Sequence, residues 1–406
     1  MDLVERRNGR LYLIGLAASL IGNSAMTLVA GIWAKSLTGS SAQAGLVSAL
    51  AYAATLAAPV AGLIADRVNR RRWLVVVNLV SAATILSLLG VRSAGEVWLI
   101  DVAMAIYGLE AVLLDPAENA LFAEIFGDEF RRRVNGRRLA IQETGRLVAP
   151  LLGAGLFALV SGGAVAALDA ATFLVAAGVT ARLVIGPGSG RAARSSGRAV
   201  RSIGLATDLA AGIRHVLGTD ELRRIAVAGG AVMAISAVGV AAQFSLVSAV
   251  GERPAFLGVF SAVLGAGSIV AALTSGAVLR RIGDRGLALA GLLDFAAGSL
   301  LRATGNLSLA LTGTLVLGFA LPWAFLAVLN IAQRETPDEL QGRVSAAVTI
   351  ALFGPQAPLQ AVGSAAITAV GFSQIYLASA IATLAVVAWL ATRPRPVSGG
   401  PGPASR

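Results

Sequence analysis

The chain has 406 residues, of which 56% are hydrophobic and only 14% charged, and its mean hydropathy is +0.77. A soluble domain carries about 25% charged residues, so this composition excludes an ordinary water-soluble fold. It fits roughly twelve membrane spans of ~20 residues joined by short connectors, and the formal charge of +11 must be explained in that setting.

Apolar runs between charged interruptions predict spans at 11–33, 43–65, 73–91, 97–117, 138–160, 163–184, 225–249, 256–279, 286–303, 307–330, 344–369 and 372–392. The eleventh run is broken by Gly354, Pro355 and Pro358. The first run is span-length and others follow it, which predicts a retained helix and no cleavable signal peptide. The expected organisation is an N-terminal six-helix bundle (1–185), a cytoplasmic linker (186–222), a C-terminal six-helix bundle (223–393) and a disordered cytoplasmic tail (394–406). The linker opens on Gly186-Pro-Gly-Ser-Gly, a flexible composition. From Ser202 to about Gly218, Leu205, Leu209, Ile213 and Val216 recur at helical spacing. That pattern predicts an amphipathic helix at the membrane surface.

Basic residues test the topology independently. Of the 33, 28 fall on connectors on the side of the N-terminus, and 4 (Lys35, Arg92, Arg253 and Arg302) fall on the opposite side. Cytoplasmic connectors carry the excess of arginine and lysine, so both termini are expected in the cytoplasm and the charge reports topology. No nucleic-acid partner is needed. Trp33, Trp73, Trp98 and Trp389 lie at predicted span ends, where amphipathic rings favour the headgroup layer. There is no cysteine and a single histidine, His215. That excludes Cys-rich metal sites and Cys/His catalysis. Lys35 has no glycine-rich phosphate loop around it. No cofactor, no metal and no enzyme activity are expected, and an ion gradient is the remaining energy source.

Between the second and third runs, Gly62-Leu-Ile-Ala-Asp66-Arg67-Val-Asn69-Arg70-Arg71-Arg72 places five charges in eleven residues. The C-terminal half echoes it at Gly276 to Arg285, and Gly127 to Asn135 is echoed at Pro337 to Ser345, both on cytoplasmic connectors. These motifs, with Asp115-Pro116-Ala117, Gly145 to Gly153, and Pro337 to Val344, resemble the major facilitator superfamily. Within it they resemble a bacterial exporter branch that includes the enterobactin exporter and macrolide-efflux proteins. The resemblance implies an all-α membrane fold of twelve transmembrane helices in two pseudo-symmetric six-helix bundles, parallel repeats around a midplane site.

The resemblance also implies roles. Gly62, Asp66, Arg67, Arg70 and Arg71 would form a cytoplasmic gating network, with Asp115 and Glu118, three residues apart on one helix face, as partners of the arginines. A second reading keeps those charges for topology alone. Glu110 lies deep in the fourth span, where an ionised carboxylate is costly. It is a candidate proton site, with a structural hydrogen bond as the rival reading. Glu143 and Arg146, at i and i+3, are either a buried structural pair or part of the coupling machinery. Gly145, Ala149 and Gly153 offer a small-residue stripe for close helix packing. Candidate cavity residues are Asn23, Tyr107, Gln142, Gln243, Trp323, Gln356 and Gln360, with Trp323 alternatively packing at the Pro322 bend. Asp101 and Asp169 fall near external span ends with access to water, and Asp294 on the ninth span has a structural role.

The expected function is proton-coupled efflux of small amphipathic molecules, as a monomeric multi-pass protein of the bacterial inner membrane. Import, lysolipid flipping, or a transport-dead receptor are the alternatives.

Overall fold

A computed structural model describes residues 3–54, 68–184 and 205–392. Gly62, Asp66 and Arg67 lie outside the described residues, as do the glycine-rich start of the linker and the tail. Every regular element among the described residues is helical. The first half comprises α1 (Leu3–Thr38), α2 (Ser41–Ala53), α3 (Arg70–Ser87), α4 (Val97–Ile125), α5 (Asp128–Leu159) and α6 (Gly162–Arg182). The linker helix α7 (Leu205–Gly218) leads into α8 (Asp220–Ala249), α9 (Leu257–Ala303), α10 (Leu307–Arg334), α11 (Gln341–Phe353), α12 (Gln356–Ala369) and α13 (Phe372–Ala391).

The helices start where the sequence supplies a cap. Side chains of Ser40, Asn69, Ser161 and Asn306 accept from backbone N–H groups at the starts of α2, α3, α6 and α10, satisfying donors that the helix itself leaves open. Eight helices among the described residues are long and apolar enough to cross a membrane. The predicted eighth and ninth spans are the two arms of α9, which reverse at Gly283 (φ 68°, ψ 178°), a conformation open to glycine. The predicted eleventh span is two helices, α11 and α12, broken at Gly354-Pro355. α2 opens the predicted second span, whose later residues lie outside the described set, and α5 carries the fifth.

Each half has its own apolar core. One gathers Met26, Ile85, Ile100 and Met104 from α1, α3 and α4; the other gathers Leu222, Leu287, Leu292 and Val328 from α8, α9 and α10. Within the first half, the small-residue stripe packs α5 on α1. Ala149 is fully buried, and a methyl on Gly153 would lie 2.6 Å from Ala25 Cβ.

One expectation is corrected. Trp33 lies not in a headgroup layer but in the first core, 6% exposed, against Gly162, which has no Cβ to collide with its indole. Its partner is a glycine, so protein packing outcompetes the interface. Trp98, 58% exposed, is free to face outward. Part of the apolar stripe of α7 meets protein: Val216 joins the second core, Leu209 packs beside it, and His215 Nε2 lies 2.9 Å from the Glu335 carbonyl, whereas Ile213 is exposed. Gly212 crosses the backbone of Arg343 at a distance that leaves no room for a side chain.

Candidate functional site

A third cluster joins the halves. Ile32, Ala44 and Ala154 from the first half pack with Phe244, Leu246, Leu257 and Phe260 from the second. All of these lie at the end of the bundle distal to the termini. Glycines make the approach possible: a methyl on Gly45 (α2) would lie 2.6 Å from Ala241 Cβ (α8), and one on Gly258 (α9) 2.5 Å from Ala154 Cβ (α5). Ser245 Oγ donates to Ser41 Oγ at 2.8 Å across the same seam.

Beneath the seam, between the halves, is a cavity of about 590 Å³. That volume lies within the usual range for small-molecule sites. Asn23, Gln243, Gln356 and Gln360 line it, among serines and apolar side chains from α1, α2, α5, α8, α9, α10, α12 and α13. Tyr107 stands behind this wall and donates its hydroxyl to Asn23 Oδ1 at 3.0 Å. Gln142 is half-buried and is not among the lining residues. Trp323 also lies away from the cavity: its Nε1–H donates to the Ala271 carbonyl at 3.1 Å and its ring stacks edge-on with Phe319. The indole beside Pro322 thus holds α10 to the first arm of α9.

Among the lining residues that the sequence reading did not name are Arg302 and Tyr376. Arg302 was placed in an external connector, but it occupies the last turn of α9 and is 9% exposed. The signal was present: the ninth apolar run extends to residue 303, so Arg302 falls inside it.

Glu110, on α4, is 4% exposed; Thr84 Oγ1 donates to its Oε1 at 3.4 Å, and Oε2 has no hydrogen-bond partner. Asp169, on α6, does not reach water as expected from its position near a span end. It is 0% exposed, accepts from Thr172 Oγ1 at 3.3 Å, and leaves Oδ2 without a partner. Gly22 of α1 makes the space for it, because a methyl there would collide with Asp169 Oδ1. Depth along the sequence does not reveal which helix face turns inward. Asp101 accepts from Gln43 Nε2 at 2.9 Å on both oxygens. Asp294 is half-buried. The side chains of Glu143 and Arg146 lie outside the described set, although both fall within α5.

At the end nearer the termini, the two halves repeat one another. Arg70, opening α3, pairs with Glu124 at the end of α4 (3.2 Å). In the second half, Asp284 at the corresponding reversal pairs with Arg334 at the end of α10 (2.6 Å), with the charges exchanged. Arg71 donates to the Ala181 carbonyl at the end of α6, and Arg285 to Leu390 at the end of α13. Cations placed over orphan carbonyls at helix C-termini are favourable.

The sequence profile described as Major Facilitator Superfamily matches residues 11–354. The chain belongs to this superfamily. No curated protein sequence matches it. Among solved structures, it is similar to the nucleoside transporter NupG, with a TM-score of 0.72 and 12% identity over 96% of this chain and 98% of that one. It is also similar to a bacterial homologue of the iron transporter ferroportin in an inward-facing state, with a TM-score of 0.67 and 14% identity over 97% and 100% of the two chains. The peptide transporter POT in complex with sulfate gives 0.67 and 16% over 95% and 93%. At these identities the likeness establishes the fold. The chain is a multi-pass membrane transporter of the major facilitator superfamily, not an enzyme.

Within that fold, the expected gating partners sit apart from the described loop arginines. Arg70 reaches Glu124, as above, while Glu118 Oε1 accepts from the Tyr12 hydroxyl at 2.9 Å. Among the described residues, the cation whose charge reaches Asp115 and Glu118 is Arg138 of α5. Arg138 also donates to Asn119 Oδ1 at 3.0 Å and lies over the Phe122 ring. Tyr12, Asp115 and Glu118 line a smaller cavity of about 120 Å³ inside the first half, which extends to Asn23. Asn23 therefore borders both cavities.

Proposed function

We propose that the protein is a proton-driven exporter of small amphipathic organic molecules, working as a monomer by alternating access in a bacterial inner membrane. The observation that carries the reading is the central cavity, walled by both halves and sealed by their contact at the distal end. Arginine-rich connectors at the other end orient that end to the cytoplasm, so the cavity takes up its substrate from inside the cell. The lining supports an amphipathic ligand: scattered amides and hydroxyls fix a polar group, while Leu28, Ile235 and Leu264 accept an apolar body.

Coupling is assigned to Glu110 and Asp169. Each buries a carboxylate oxygen that lacks a partner, a costly arrangement unless the group carries a proton for part of the cycle. Tyr107 and Asn23 connect this region to the cavity wall. A potential of 150 mV supplies about 3.5 kcal/mol per proton, enough for a substrate gradient of roughly 300-fold. The Gly62, Asp66, Arg67, Arg70 and Arg71 loop, together with Asp115 and Glu118, is assigned to gating at the cytoplasmic end.

The test uses proteoliposomes loaded with a pH-sensitive dye and a panel of amphipathic fluorescent probes. Probe movement should drive counter-movement of protons. Glu110→Gln should abolish the response of probe flux to an imposed pH gradient, while Asp294→Asn retains it. Probe flux in the Glu110→Gln protein that still follows the gradient would remove the coupling assignment. Absence of flux with every probe would remove the export reading.

A further inference from the structure

We infer that the central cavity binds an organic anion, a soluble molecule with a carboxylate or phosphate head on an apolar body, and that Arg302 is the residue that holds the head. This rests on the transport reading only in taking the cavity as the substrate site.

Arg302 is the one charged side chain among the described residues lining the cavity; no aspartate or glutamate joins it there. Arg302 is 9% exposed, and no carboxylate among the described lining residues offsets the cost of desolvating it. Its stem lies across α10, where a methyl on Gly313 would come within 3.2 Å of Arg302 Cγ. Its head is held over the Tyr376 ring at 4.6 Å and near the Phe260 ring at 6.0 Å. Those faces attract the cation and fix its plane, but they accept no conventional hydrogen bond. Arg302 Nε is buried without a partner. Arginine is a five-donor fork matched to carboxylate and phosphate oxygens. The Tyr376 phenol beside it supplies a further donor.

A purely structural role is the competing account. A cation in the last turn of a helix is stabilised by the helix dipole, and Arg302 occupies that position in α9. Such a role would leave the cavity indifferent to ligand charge. The aromatic clamp and the unpartnered Nε donor of the sole charged lining residue instead describe a site lacking an acceptor.

The experiment compares 2-naphthoate with 2-naphthamide, equal in size and different in charge, by equilibrium binding to the purified full-length protein in neutral detergent. The wild-type protein should prefer the naphthoate by about 10- to 100-fold, the scale of hydrogen bonds to a charged group. Arg302→Gln should erase the preference while leaving naphthamide affinity within about threefold, and Arg302→Lys should keep part of it. The naphthamide affinity also shows that the variant is folded. Equal affinities in the wild type, or a preference that survives in Arg302→Gln, would overturn the proposal. Displacement of naphthoate by phosphatidylglycerol at equal concentration would overturn its soluble-anion form. Flux assays separate the two readings: an Arg302-dependent preference without flux leaves the anion site standing and removes transport, whereas equal flux of both probes does the reverse.

Discussion

Replacing Gly45 with alanine puts a methyl group at the point where α2, α8 and α12 meet. It would lie 2.6 Å from Ala241 Cβ and 3.2 Å from Ala241 Cα, and would also meet Ser364 Oγ. Carbon atoms rest at about 3.5–4.0 Å, so the helices must separate by roughly 1 Å. The serine hydroxyl can rotate away, but the alanine methyl and backbone cannot. Overpacking of this kind costs about 1–3 kcal/mol. Here the halves have an alternative to absorbing strain: they can part at the distal seam. If that end is closed in 99% of molecules, a penalty of about 2.7 kcal/mol makes open and closed forms equal. Gly258→Ala, which sets a methyl 2.5 Å from Ala154 across the α5–α9 contact, should act in the same direction. Gly155→Ala is the control, since nothing lies within 4 Å of a methyl there. The chain has no cysteine, so spin labels at Arg92→Cys and Thr304→Cys, exposed at the distal ends of the two halves, report the opening by pulsed electron resonance distances. A longer-distance population should appear with Gly45→Ala and grow when Gly258→Ala is added. If both variants keep the wild-type distance distribution while the protein stays folded, the seam does not control the closed state.

Two stability predictions follow from the packing. Gly162→Ala should destabilise by about 1–3 kcal/mol, because its methyl would collide with the Trp33 indole ring; thermal unfolding in detergent measures this, and an unchanged midpoint would show that Trp33 has room to move. Arg334→Ala removes contacts to Asp284, Glu221 and Glu335, yet Arg334 is about half exposed. Exposed pairs contribute about 0–1 kcal/mol each, so the unfolding midpoint should fall only slightly, and by less at high salt.

Much of this molecule was legible because lipid imposes length and polarity at once. Span positions followed from run length, and the break at Gly354-Pro355 from residues that interrupt a helix. The internal repeat, visible as echoes around Arg70 and Arg285, reappears as matched arginine contacts to the ends of α6 and α13. What was not legible was direction around each helix. Hydropathy reports depth, so it could not place Asp169 in the interior of the first half, and although the ninth run includes Arg302 it could not turn that residue towards the cavity. It also could not distinguish Trp323 facing a ligand from Trp323 bound to the Ala271 carbonyl. The exchange of charge between the Arg70–Glu124 and Asp284–Arg334 pairs likewise needed the structure, because the echo conserves position and not sign.

The distal seam is fastened by steric fit and a hydroxyl pair, and among the described residues no ion pair crosses it. On the proposed orientation, electrolyte on the outer side therefore has little to screen there, and acidity on that side has no cross-seam charge pair among the described residues to neutralise. A door latched in this way should keep its grip as ionic strength changes.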